Sequence, residues 1–139
     1  MSELVRMAEL FAESKHLCQV DRAGDAYINH PRYVAGCVDG ENEKAVAFLH
    51  DTVEDTDATV DEIRGLFGDV IADAVAALTR REHETYMDYI RRVKDNEIAR
   101  KVKLADLKHN MDLTRLAVVT DEDLRRVKKY GKAYGFLSE

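Results

Sequence analysis

Along nearly the whole chain, apolar residues recur three or four positions apart, a spacing that places them on one face of an α-helix. Most are Ala, Val and Leu, and only one proline and seven glycines are available to interrupt the pattern. Sheet-rich and disordered folds are poor fits to such a chain. A compact, all-α, multi-helix domain is the expected architecture.

The spacing predicts eight helices. A first runs from Glu3 to Cys18 on Leu4, Ala8, Phe11 and Cys18, and ends before a loop at Asp21-Arg22-Ala23-Gly24-Asp25. His30-Pro31 opens a second, since proline suits the first helical position, and this helix carries Tyr33, Val34, Cys37 and Val38 to a stop at Gly40. A third covers about Glu43 to Val53. Thr59-Val60-Asp61-Glu62 has capping-box spacing and starts a fourth that ends near Gly68. Val70 to Leu78, Tyr86 to Val93, Ile98 to His109 and Leu124 to Tyr134 mark the remaining four.

At 139 residues, 45% hydrophobic and 35% charged, the chain suits one soluble globular domain over residues 1–139, with no room for a second catalytic domain. The first residues carry acids where a secretory signal would be basic, and the longest apolar stretch, Val70 to Leu78, is broken by Asp73 and falls well short of the roughly 20 residues a membrane span needs. A cytoplasmic protein with no membrane partner is expected. Cys18 and Cys37 form no CxxC pair and read as packed thiols. The net charge of −6 is uneven: residues 1–78 hold six Lys/Arg and sixteen Asp/Glu, residues 79–139 fifteen and eleven. The acidic first half disfavours nucleic acid, which is bound by neutralising many phosphates. A small phosphorylated ligand facing the basic second half is compatible with this charge distribution.

The run Leu49-His50-Asp51-Thr52-Val53-Glu54-Asp55-Thr56 carries the strongest chemical signal. On a continuous helix His50 and Glu54 share a face, as do Asp51 and Asp55, directly after an apolar stretch. Imidazole beside carboxylate suits a divalent transition ion, and a second acidic pair one turn on suits work on water and protons. Alone, a His-Asp dipeptide also occurs by chance, and the acids could be solvated. His30 has no obvious structural duty at a helix start. Lys103, Asp106 and Asn110 share a helical face, where a surface salt bridge is the plain alternative. Two histidines and two aspartates from three helices would form an N₂O₂ site with open positions for water and substrate.

These segments, Gly24 to Pro31, His50 to Thr56, Phe67-Gly68, and Lys103 to Asp106 with Asn110, resemble the hydrolase domain of the RelA/SpoT proteins and the small alarmone hydrolases, a branch of the HD-domain metal-dependent phosphohydrolases. The resemblance runs from about Ala8 to Leu116 and implies a stand-alone hydrolase without a synthetase domain. It implies that His30, His50, Asp51 and Asp106 hold one divalent ion, usually manganese in that family. It further implies that Glu54 and Asp55 position and activate the attacking water, that Asn110 and Lys103 lie near the substrate, and that Arg22 and Tyr27 line a nucleotide pocket. The implied reaction is hydrolysis of the 3′-pyrophosphate of guanosine 3′,5′-bis(diphosphate), ppGpp.

One departure stands out. The family's Gln-x-Arg, whose arginine stacks on guanine, reads Gln19-Val20-Asp21 here, with Arg22 one residue on. Two alternatives therefore stay open: a phosphohydrolase of another nucleotide or phosphorylated metabolite, and a non-catalytic nucleotide or metal sensor. The sensor fits less well with both acids of Glu54-Asp55 present. His16 and His83 have no assigned role, His109 reads as a packed helix histidine or a support for Asp106, and Arg80 and Arg81 as either phosphate contacts or solvated charges.

Overall fold

The computed structural model describes residues 2–139 and is all-α, with nine helices among the described residues: α1 (Glu3–Lys15), α2 (Asn29–Gly36), α3 (Glu41–Leu49), α4 (Thr52–Asp55), α5 (Val60–Phe67), α6 (Asp69–Ala77), α7 (Tyr86–Lys94), α8 (Glu97–Asn110) and α9 (Asp121–Ser138). The only β-type pairing among these residues is an isolated bridge from Val20 to Ala26. Among the described residues, no helix is long and apolar enough to cross a membrane.

The fold is organised around α3. Its five consecutive residues Ala45, Val46, Ala47, Phe48 and Leu49 are all buried, so the helix has no solvent face after its first turn. A helix apolar all round must be surrounded. Helices α1, α2, α6 and α8 do this, and α5, α7 and α9 complete an outer layer. The small residues Ala8 and Ala12 of α1 and Ala45 of α3, none of them exposed, let neighbouring helices approach closely.

Several ends are set by side-chain caps. Ser2, Thr59, Thr85, Asn96 and Thr120 each accept the backbone N–H three residues on, satisfying a donor that the helix leaves unpaired. Thr59 caps α5 as its spacing predicts, but Glu62 reaches out to Lys15 at 3.8 Å, and the reciprocal capping box is formed by Thr120 and Asp123. Gly68, at φ 90°, ends α5 and begins α6 in a conformation open to glycine and strained for other residues. At the other end of the domain, Lys94 and Arg100 donate to the last carbonyls of α9, those of Phe136 and Leu137.

Four expectations are corrected. Helix α1 ends at Lys15, because Cys18 turns into the left-handed region at φ 70°. Both cysteines are exposed, not packed. His30 is the second residue of α2, with Pro31 behind it in the first turn, so it does not occupy the cap. The predicted third helix breaks at His50-Asp51. There the His50 ring bonds to the Ala47 carbonyl and the Thr52 hydroxyl to that of Leu49, groups that a continuous helix would use itself.

Leu49 is fully buried in this central helix, and Leu49→Ala is expected to lower the unfolding free energy by about 2–5 kcal/mol. Leu10, 55% exposed on α1, gives a control: Leu10→Ala should change it by less than about 0.5 kcal/mol. Urea denaturation of both variants checks the contrast.

Candidate metal centre

The break after α3 turns His50 and Asp51 inward, where they meet His30 from the first turn of α2 and Asp106 from the middle of α8. One ligand atom from each of these four residues lies within 4.8 Å of every other. His30 Nε2 is 2.7 Å from Asp106 Oδ1, and His50 Nε2 is 3.3 Å from the same oxygen and 3.0 Å from Asp51 Oδ2. His30, His50 and Asp106 are buried, whereas Asp51 is half-buried and opens the site to one side.

The hydrogen bonds behind the cluster determine which atoms face it. His50 Nδ1 is 2.6 Å from the Ala47 carbonyl, which can only accept, so Nδ1 carries the proton and Nε2 presents a lone pair. His30 Nδ1 is 2.7 Å from Nδ1 of the buried His109, whose ring stacks at 5.0 Å, and a proton on His30 Nδ1 likewise leaves its Nε2 free. Two imidazole lone pairs then face two carboxylates, an arrangement that calls for a cation at the centre. Without one, protons must serve. Burial alone would lower the His50 pKa, but Asp51 and Asp106 outweigh it and hold it well above the ordinary histidine value. The donor set, geometry and supporting hydrogen bonds fit a divalent ion bound by two histidines and two aspartates.

The remaining candidate residues divide between support and rim. Lys103 Nζ lies 2.9 Å from Asp106 Oδ2 and Asn110 Nδ2 donates to Oδ1 at 3.1 Å. Both sit on the predicted helical face, and Lys103, only 12% exposed, is committed to orienting Asp106. The Tyr27 hydroxyl donates to Asp51 Oδ2, and burial with the Asp51 charge raises its pKa, so it stays a donor.

Glu54 and Asp55 lie at the rim on the separate turn α4, not on a helix continuous with His50. Glu54 Oε1 accepts the Arg80 backbone N–H at 2.5 Å. Asp55 is exposed at the rim, where partial burial of its carboxyl, with Asp51 and Glu54 beside it, pushes its pKa up to about 6. Of the two arginines at the edge, Arg80 donates to the Glu84 carbonyl and lies 5.8 Å from the Tyr86 ring, while Arg81 is solvent-exposed. Tyr89 is buried, and Tyr86, Tyr130 and Tyr134 are half-buried and pack.

Beside the centre opens a cavity of about 410 Å³, lined by His30, His109, Asn110, Tyr27, the loop Val20 to Ala23 and the segment from Asp112 to Leu116. Arg22 lines it too, but its guanidinium pairs with the buried Asp123 of α9.

Two residues with no sequence signal contribute to the site. His16 is buried, its Nδ1 bonded to Gln19 Oε1 at 2.9 Å while the Gln19 amide donates to the Asp55 carbonyl, so α1 braces the turn that carries Asp55. Arg92 ties the 79–84 loop, and with it the partner of Glu54, to the end of α6 through the carbonyls of Ala76, Ala77 and Thr79 and the Glu84 carboxylate. His16 acts through its neighbour Gln19, and Arg92 through its own bonds to the loop and to α6.

Lys103→Met leaves Asp106 buried and short of a cation. It is expected to destabilise the metal-free protein by about 3 kcal/mol in chemical denaturation, the scale of breaking one side of a buried pair.

No protein-family model matches the chain. Among curated proteins it is 34% identical, over 93% of its own length, to a Synechocystis protein named probable guanosine-3′,5′-bis(diphosphate) 3′-pyrophosphohydrolase, of which the match covers 19%. It is 35% identical, over 88% of its length, to the GTP pyrophosphokinase rsh of Brucella melitensis, of which 18% is covered. The chain thus spans about a fifth of the length of these relatives. A solved structure, described as a metazoan ortholog of SpoT that hydrolyzes ppGpp and plays a role in starvation responses, matches with a TM-score of 0.78 and 26% identity over 99% of this chain and 86% of the other. By sequence and by fold, this chain is an HD-domain protein like the hydrolase domain of the RelA/SpoT proteins.

Proposed function

We propose that the chain is a metal-dependent phosphohydrolase that removes the 3′-pyrophosphate of ppGpp or its 5′-triphosphate analogue, acting in the cytoplasm. The observation that carries this reading is the meeting of His30, His50, Asp51 and Asp106 within 4.8 Å beside a nucleotide-sized cavity. The likeness to proteins named for ppGpp hydrolysis supports the choice of substrate.

A divalent ion held by these four residues, manganese by analogy with the family, would polarise a phosphoryl oxygen and lower the pKa of a water molecule. Asp55 is the base that takes the proton of the attacking water: burial and the neighbouring acids push its pKa up to about 6 in the metal-free protein, which makes it more basic than an ordinary aspartate and leaves it ionised at neutral pH. Glu54, fixed by the Arg80 amide, orients that water from the rim. The water oxygen bonds to phosphorus, the bond from phosphorus to the 3′-oxygen breaks, and that oxygen leaves with a proton. The products are GDP or GTP and pyrophosphate. Tyr27 and Asn110 hold Asp51 and Asp106 in place on the cavity side. Arg22, bound to Asp123, shapes the nucleotide loop.

The acid at Asp21 favours a second reading, hydrolysis of another phosphorylated nucleotide by the same chemistry. Incubating the manganese-loaded protein with ppGpp and a panel of ordinary nucleotides separates the two. Pyrophosphate released from ppGpp alone, absent in Asp51→Ala, supports the first reading, and turnover only of another panel member supports the second.

The rate also has a predicted pH signature. At saturating metal, kcat/KM should fall on the acid side as Asp55 takes up a proton, below the value of about 6 that it has in the metal-free protein, because the cation favours the ionised carboxylate. Asp55→Asn should remove that limb of the profile and cost about 100-fold or more in rate.

A further inference from the structure

The cavity beside the metal centre contains two guanidinium groups, and they are bound very differently. Arg22 is committed to Asp123, an acid 1% exposed that Thr120 and Arg126 also hold. Arg115 comes from the segment after α8 and is held by one nitrogen only. Its Nη1 lies 3.1 Å from Asp21 Oδ2 and 3.8 Å from Asp25 Oδ2. Among the described residues, Nε and Nη2 make no hydrogen bond, and the side chain is 39% exposed on the cavity wall.

Asp21 is built to hold Arg115 there. Its Oδ1 accepts the backbone N–H groups of Ala23 and Asp25, a turn that fixes the carboxylate and aims Oδ2 across the cavity. Although burial opposes it, these bonds and Arg115 lower the Asp21 pKa, so the acid is ionised at neutral pH. The acid that breaks the expected pattern thus anchors an arginine from a different part of the chain.

We propose that Arg115, positioned by Asp21, recognises the base of the bound nucleotide by donating to the O6 and N7 acceptors of guanine. This inference rests on the nucleotide reading of the site given above. The chemistry follows from the free donors. A guanidinium offers parallel N–H groups that match two adjacent acceptors, as guanine presents, whereas adenine presents an acceptor and an amine donor along the same edge. Val20, Leu113 and Leu116 line the same cavity and supply apolar surface for the base, while His30 and Asn110, which line it too, would place the 3′ side of the nucleotide beside the metal centre.

Binding of GDP and ADP, measured by equilibrium dialysis on the full chain, tests the proposal alongside pyrophosphate release from ppGpp. The unaltered protein should prefer GDP, and Arg115→Ala should reduce that preference by roughly ten-fold or more. Arg115→Lys keeps an ion pair with Asp21 but loses the planar pair of donors, so it should fold normally and still lose the preference. Asp21→Asn should lose part of it. Equal affinity for GDP and ADP in the unaltered protein, an unchanged preference in Arg115→Ala, or full restoration by lysine would overturn the assignment and leave Arg115 as a loop tether. A GDP preference that depends on Arg115, without release of pyrophosphate from ppGpp, would uphold base recognition and reject the hydrolase reading.

Discussion

Asp106 is the charge around which the interior is assembled. It is 3% exposed in the middle of α8, and His30, His50, Lys103 and Asn110 all lie within hydrogen-bonding distance of its two oxygens. A buried carboxylate without partners would be prohibitively costly, so the helices that supply them are constrained in position and rotation. Helix α2 must present its first turn, α3 must end where it does, and α8 must turn Lys103 and Asn110 to the same face as Asp106. The apolar surround of α3 supplies the driving force for collapse. The charge cluster selects which collapsed arrangement is satisfied.

The same constraint separates two kinds of residue at the site. Those facing Asp106 are bonded to it, and His30 and His50 are buried, so they have little freedom to follow a substrate. Those at the rim, Glu54, Asp55, Asp21 and Arg115, sit on a one-turn helix or on loops anchored from a distance. Asp55 is braced by Gln19 and His16, Glu54 through the loop that Arg92 ties down, and Arg115 by the turn at Asp21. A rigid floor with individually braced rim groups suits chemistry in which the cation stays fixed and the water and nucleotide must be oriented.

The helical fold was legible because burial leaves a periodic trace: Ile71, Ala74 and Val75 on α6 and Tyr89, Ile90 and Val93 on α7 are buried at the spacing of one helix face. His30, His50, Asp51 and Asp106, which the fold brings together, were legible in the sequence by residue type. Their continuity was not, because the helix break at His50-Asp51 comes from side chains capturing the Ala47 and Leu49 carbonyls, which leaves no mark on apolar spacing. Lys103 and Asn110 were placed on the correct face, but their commitment to Asp106 depends on burial. Gln19, His109 and Arg92 work through partners distant in sequence, and local pattern carries nothing about such pairs. Asp21 was visible as an anomaly, and its meaning required Arg115, 94 positions away, to be found opposite it.

The central claim is that the His/Asp cluster exists to hold a divalent cation in place of a proton. Titrating manganese into metal-free protein by calorimetry at pH 7, in two buffers with different ionisation enthalpies, measures binding and proton release together. One ion per chain with net release of a proton is predicted, because the raised His50 pKa leaves its Nε2 protonated until the ion displaces it. No saturable binding, or binding with no proton released, would contradict the account.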